Sequence, residues 1–299
     1  MSHKMEWCVP DPLSTRDIRL DEHAVTTVRQ HGNPSGPRLI LTHGNGLAAD
    51  LYYPFWSQLA DEFELMVYDL RNHGWNCVGL QQDHNIPTLI SDHDIILEGI
   101  AREYGDKTTV GVFHSLATLV TLLSLSDHYA ALVLFDPPLC KPAGNEAEFI
   151  EAAERMAERT RNRARRFRSE QEFAEVLSFA PGFDRVVPGT HSLMARSVLR
   201  RASDGQGFEL RCPREYEAQI AEFVRSFSPL LDLSMLNCPT KVIGADPTLA
   251  YAYLPTFDLS HASAVDYDFI PDASHLLQVE RPKHCAEMVR EFLSAQGIQ

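Results

Sequence analysis

The chain has 299 residues, 44% hydrophobic and 23% charged, which suits one large domain or one domain carrying an insertion. Its net charge of −14 disfavours nucleic acid and anionic membrane as partners, because both require a basic surface. No apolar run reaches the roughly eighteen residues of a membrane span, and the N-terminal MSHKMEWCVPDP lacks the order of a secretory signal, so a cytoplasmic location is expected.

The six cysteines form no C-x-x-C pair and the thirteen histidines no H-x-x-x-H or H-E-x-x-H pair; neither disulfides nor a metal site is expected. In chain order, short apolar runs at 24–28, 38–42 (RLILT) and 64–68 (ELMVY), bounded by turn residues such as Gly32-Asn33-Pro34, predict strands. Two more follow at 108–113 (TTVGVF) and 130–135 (AALVLF), with an apolar helical stretch at 116–125 between them. Runs apolar on both faces and alternating with helices predict a parallel sheet covered on both sides, an α/β fold.

After Asp136-Pro137-Pro138 the strand-like runs stop. Phe149, Ile150, Ala153, Met156, Ala157, Ala164 and Phe167 recur at helical spacing, and Ser169 with Glu172 reads as a capping box opening a further helix that Pro181-Gly182 ends. Strands resume at 240–243 (TKVI) and 264–270 (AVDYDFI), and an amphipathic helix at 282–293 closes the chain. The expected division is a core of 1–136 and 230–299 interrupted by a helical cap at 137–229.

Three residues stand where strands hand over to loops: Ser115 after TTVGVF, Asp246 after TKVIGA and His275 after AVDYDFIPDAS. In an open parallel sheet the ligand crevice lies beyond the carboxyl ends of the strands, so the three can converge there. Their order, together with Thr42-His43-Gly44-Asn45-Gly46, Asp69-Leu70-Arg71-Asn72-His73-Gly74 and Asp272-Ala273-Ser274-His275 before Glu280-Arg281-Pro282, resembles the α/β-hydrolase superfamily over nearly the whole length. Asn72 stands where that pattern has a glycine.

The resemblance implies a nucleophile, Ser115, a base, His275, and an acid, Asp246, with Asp136 at the end of the preceding strand as the alternative acid. It also implies an oxyanion hole from the backbone N–H groups of Asn45 and Leu116, and no cofactor. The elbow itself departs from G-x-S-x-G: in VGVFHSLAT, Phe113 and Ala117 take the glycine places. Ala117 is small enough for the close strand-to-helix approach; Phe113 must point into a recess or shift the turn, and is expected either to close the core or to narrow the acyl pocket. Leu47, Phe113, His114 and Leu276 are the candidate pocket residues. Tyr52, Tyr53, Phe55 and Trp56 belong mostly to the core by their helical spacing.

Seven arginines in ERMAERTRNRARRFR, between Arg155 and Arg168, read either as a solvated face with glutamate partners or as an anion-attracting cap. The expected function is carboxylic ester hydrolysis through an acyl-serine, on small to medium acyl substrates. Thioesters, lactones and C–C bonds are attacked by the same machinery. A cofactor-free lyase or dioxygenase using His275 without acylating Ser115, and a non-catalytic ligand-binding protein, are the alternatives from other classes.

Overall fold

The computed structural model describes residues 6–124, 128–140, 146–251, 253–255, 259 and 263–299. Leu125, the last residue of the helical stretch read from the sequence, therefore lies outside the described residues. The strands are β1 (Ser14–Arg19), β2 (Val25–Gly32), β3 (Arg38–Leu41), β4 (Glu64–Val67), β5 (Thr109–His114), β6 (Ala131–Phe135), β7 (Arg166–Phe167), β8 (Leu199–Arg201), β9 (Phe208–Leu210), β10 (Thr240–Gly244) and β11 (Asp266–Phe269). The α-helices are α1 (Tyr53–Trp56), α2 (Ile86–Tyr104), α3 (Leu116–Leu123), α4 (Glu146–Asn162), α5 (Glu170–Leu177), α6 (Thr190–Val198), α7 (Arg214–Phe227), α8 (Leu277–Glu280) and α9 (Pro282–Ala295).

Eight strands form one sheet in the order β1-β2-β4-β3-β5-β6-β10-β11. From β4 to β11 neighbouring strands run parallel, and β2 joins antiparallel to β4 and β1 to β2. Alternate residues feed two cores, one on each face. Leu39, Leu41, Val110 and Val112 pack with α1, α8 and α9, whereas Ile40, Met66, Phe113 and Leu134 pack with α2 and α3.

The chain between β6 and β10 differs from the all-helical cap read from the sequence: besides α4 to α7 it contains a three-stranded antiparallel sheet, β7-β9-β8. Phe167, assigned to a helix by its spacing, lies in β7. Two- and three-residue strands leave no alternation long enough to read. The capping box at α5 is present in altered form: the Ser169 hydroxyl accepts from the Glu172 amide, while the Glu172 carboxylate reaches past the cap to the Arg168 N–H.

Phe113 is fully buried, and its space comes from Gly111, two residues back on the same face of β5. A Cβ at 111 would lie 2.4 Å from Phe113 Cε2. The ring meets His93 and Tyr129 edge-on, at centroid distances of 5.4 and 5.8 Å. Phe113 is thus a core residue and does not line the pocket, which corrects its pocket assignment. Phe113→Ala is expected to cost about 3–5 kcal/mol of stability, seen as a lowered unfolding midpoint.

Candidate active site

Ser115 follows β5 with φ 52 and ψ −117, outside the regions an ordinary side chain adopts. Its side chain makes no capping bond to α3, although that is the usual work of a serine before a helix. The hydroxyl instead meets His275: Oγ lies 3.0 Å from Nε2. The other imidazole nitrogen, Nδ1, is 2.6 Å from Asp136 Oδ2.

Asp136, directly after β6, is buried and itself at positive φ, 41. Its other oxygen accepts from the Ala245 N–H at 3.2 Å, so both carboxylate oxygens are engaged. Asp246 does not reach His275 in this arrangement. Its Oδ1 accepts from the Thr248 amide and hydroxyl at 2.9 and 2.6 Å, and its Oδ2 from the Asp272 amide at 2.9 Å. Those donors, the Thr248 hydroxyl first, hold its carboxyl below the usual range. Asp246 therefore pins the loop after β10 to the loop before His275. The acid expected after β10 is replaced at His275 by its alternative on β6, because the Asp246 side chain closes its own turn.

Residues to which the sequence assigned no part in holding the histidine steady it. Ser274, just before it, donates its amide to Glu280 Oε2 at 2.8 Å, and its hydroxyl bonds the other carboxylate oxygen. Tyr253 lies against the imidazole, with centroids 5.2 Å apart. His114, expected in the pocket, sits behind it. Its Nε2–H donates to the His275 carbonyl at 2.8 Å, and its Nδ1 accepts from the Tyr52 hydroxyl at 2.7 Å. Tyr52 in turn accepts from the Gly44 amide at 3.3 Å. Burial, with the neighbouring His275, pushes His114 down to about 3 and keeps it neutral, as this one-way chain of donors requires. The residue before the serine thus ties the His275 loop to the turn at Gly44.

That turn approaches the elbow closely. A Cβ at Gly44 would stand 3.0 Å from His114 Nδ1 and 3.1 Å from Ser115 Cβ, so a side chain there would force the two apart. Gly46 has φ 72, and its amide donates to His73 Nε2 at 3.1 Å. The Asn45 side-chain amide donates to the Glu217 carbonyl at 2.8 Å, fastening the turn to α7. Leu116 is the first residue of α3, where an N–H has no intrahelical acceptor.

Residues 39–287 match the family model described as the alpha/beta hydrolase family. The chain belongs to that family. No curated protein matches its sequence. Among solved structures, an E-2-(acetamidomethylene)succinate hydrolase is similar at 18% identity, covering 94% of this chain and 99% of that one, with a TM-score of 0.75. The thioesterase domain from the curacin biosynthetic pathway is similar at 15% identity, 93% and 99% coverage and a TM-score of 0.71. A thermophilic esterase from Thermogutta terrifontis, with malate bound, is similar at 22% identity, 95% and 99% coverage and a TM-score of 0.66. At these identities the likeness concerns the fold.

In this alpha/beta hydrolase, Ser115 and His275 open into a cavity of about 540 Å³. Of the candidate pocket residues Leu47 and Leu276 line it and Phe113 and His114 do not; Asn45 and Leu116 stand in the lining as well. The segment between β6 and β10 supplies the opposite wall, mostly apolar, through residues such as Phe173, Leu177, Phe183 and Met194. Arg163 and Glu217, an ion pair in which Nη1 and Oε1 are 3.0 Å apart, stand in the same lining. Among the described residues, His73, His84 and Cys212 bring metal-capable atoms within 4.8 Å of one another. His73, however, spends its Nδ1–H on the Arg71 carbonyl at 2.9 Å and its Nε2 lone pair on Gly46, so a metal would have to break the bond that shapes the turn. Asn72, with φ 67, adopts the left-handed conformation that Asn tolerates in place of glycine. Among the described residues, no helix is long and apolar enough to cross a membrane.

Proposed function

We propose that the protein is a serine esterase, hydrolysing carboxylic esters of small to medium acyl groups without a cofactor. The observation that carries this reading is the hydrogen-bonded array of Ser115, His275 and Asp136 at the wall of a largely apolar cavity. His275 Nε2 takes the Oγ proton as Oγ bonds to the ester carbon. Asp136, on Nδ1–H, fixes the tautomer and stabilises the imidazolium. The amides of Asn45 and Leu116 receive the developing oxyanion. Collapse breaks the ester C–O bond and the alcohol leaves with the proton from His275. Water, deprotonated by the same nitrogen, then attacks the acyl-serine, releases the acid and restores the hydroxyl.

The 3.0 Å approach of base to hydroxyl favours acylation over a mechanism in which His275 acts alone on substrate. The enzyme is read as acting on a soluble small-molecule ester in the cytoplasm. A fluorophosphonate probe should label the folded protein once, on Ser115, and Ser115→Ala should abolish the adduct as read by intact mass. Folded wild-type protein that stays unlabelled would remove the acyl-serine reading.

A further inference from the structure

Helix α4 runs along the cavity with Met156, Arg159 and Thr160 in the lining, spaced i, i+3 and i+4 on one face of the helix, and Arg163 joins them one residue past its end. Six of the seven arginines from Arg155 to Arg168 have acidic partners. Arg155 pairs with Glu151, Arg161 with Glu222, Arg163 with Glu217, Arg165 with Glu215, Arg166 with Asp204 and Arg168 with Glu172. Arg159 has no such partner among the described residues. The sequence accounts for this: four residues before it stands Arg155 and four residues after it, past the end of α4, stands Arg163, so neither position offers an acidic partner.

Arg163 and Glu217 cancel each other, so Arg159 leaves the charged lining of the cavity with one uncompensated positive charge, in a chain whose net charge is −14. A positive group kept unpaired at the edge of an apolar cavity attracts one anionic group at the end of an apolar chain. The Arg163–Glu217 pair fixes the direction. A Cβ at Gly46 would lie 2.3 Å from the Glu217 carboxyl carbon, so Glu217, and with it Arg163, stands at the oxyanion turn. Arg159 lies inside α4, four residues before Arg163 and so about one helical turn from that pair. Its guanidinium presents a planar fork of donors that matches a carboxylate.

We propose that the substrates are half-esters of dicarboxylic acids, their free carboxylate held by Arg159 while the ester group lies at Ser115. The proposal rests on the esterase reading for its chemistry and on α4 alone for the charge.

The test compares nitrophenyl half-esters of succinate, glutarate, adipate and suberate with the nitrophenyl butyrate, valerate, hexanoate and octanoate of equal chain length. At low salt at least one half-ester should exceed its neutral match in kcat/KM by about ten-fold, and added salt should erode only that advantage. Arg159→Gln, at an exposed helical position that Gln suits, should remove the advantage and leave the neutral esters within about two-fold. No preferred half-ester in wild type, or an equal loss on both series, would overturn the proposal. A second readout is independent of catalysis: the monomethyl half-esters should raise the unfolding midpoint of Ser115→Ala and fail to raise that of Ser115→Ala with Arg159→Gln. No midpoint shift for any half-ester would also overturn it. Binding without fluorophosphonate labelling of wild type would sink the esterase reading and leave the carboxylate site standing.

Discussion

Asp136→Asn is expected to lower kcat by roughly 10⁴-fold while the protein stays folded. The argument is about one proton. With a carboxylate 2.6 Å from Nδ1, His275 keeps its hydrogen there and presents a lone pair at Nε2 to the Ser115 hydroxyl. An asparagine of the same shape can turn its NH₂ toward Nδ1, which then accepts. The hydrogen moves to Nε2, and the base has no lone pair for the serine. The asparagine oxygen still accepts from the Ala245 amide, so the local fold survives. Asp246→Asn should do the reverse. Its carboxylate serves three donors around Thr248 and Asp272, and an amide offers a single oxygen, so about 1–3 kcal/mol of stability is lost with kcat changed only a few-fold. Steady-state kinetics with circular-dichroism melts on both variants separates the two. A larger kcat loss for Asp246→Asn would return the acid to β10.

The second large effect is expected at Gly46. Gly46→Ala places a Cβ 2.3 to 2.6 Å from the three carboxyl atoms of Glu217, at φ 72, where a side chain is already strained. Glu217 cannot swing aside without leaving Arg163. Held by Arg163, Glu217 resists that movement, and together with the positive φ the contact loads the turn and the Asn45 amide in it. A misplaced oxyanion donor costs about 10²- to 10³-fold in kcat, with KM less affected. Adding Glu217→Ala to the same chain should recover part of the rate by clearing the contact. A double variant no faster than Gly46→Ala would place the whole cost in the backbone angle.

The sheet and two of the three residues that meet in the Ser115–His275–Asp136 array were legible in the sequence. Buried parallel strands need apolar residues on both faces, so RLILT, TTVGVF and AALVLF stand out, and Ser115 follows such a run, whereas His275 follows the edge strand β11, with exposed Asp266 and Asp268. β1, Ser14–Arg19, did not stand out because it is an exposed edge strand with one buried residue in six. The acid was ambiguous because β6 lies between β5 and β10, so the loops after β6 and β10 both come near His275. What separates Asp136 from Asp246 is a backbone angle and a local turn, neither visible in composition. The apparent fault at Phe113 was half-legible: Gly111 stands two places earlier in the same strand and supplies the room that the elbow lacks. Arg159 was hidden among seven similar residues until the partners of the other six were in place.

The placement of Asp136 directly after β6 also marks where this molecule can be cut and rejoined. Asp136 directly follows β6, and Pro137 and Pro138 come next, with Pro138 already in the cavity wall. Both prolines have a fixed φ, so they form a stiff collar at the root of the inserted segment. A chimaera that exchanged this segment from residue 137 onward would graft a foreign collar onto the carboxylate. The workable seam begins after Pro138, which leaves Asp136 and its bond to His275 with the sheet, while the contact of Glu217 with the Asn45 turn is exchanged together with the insertion.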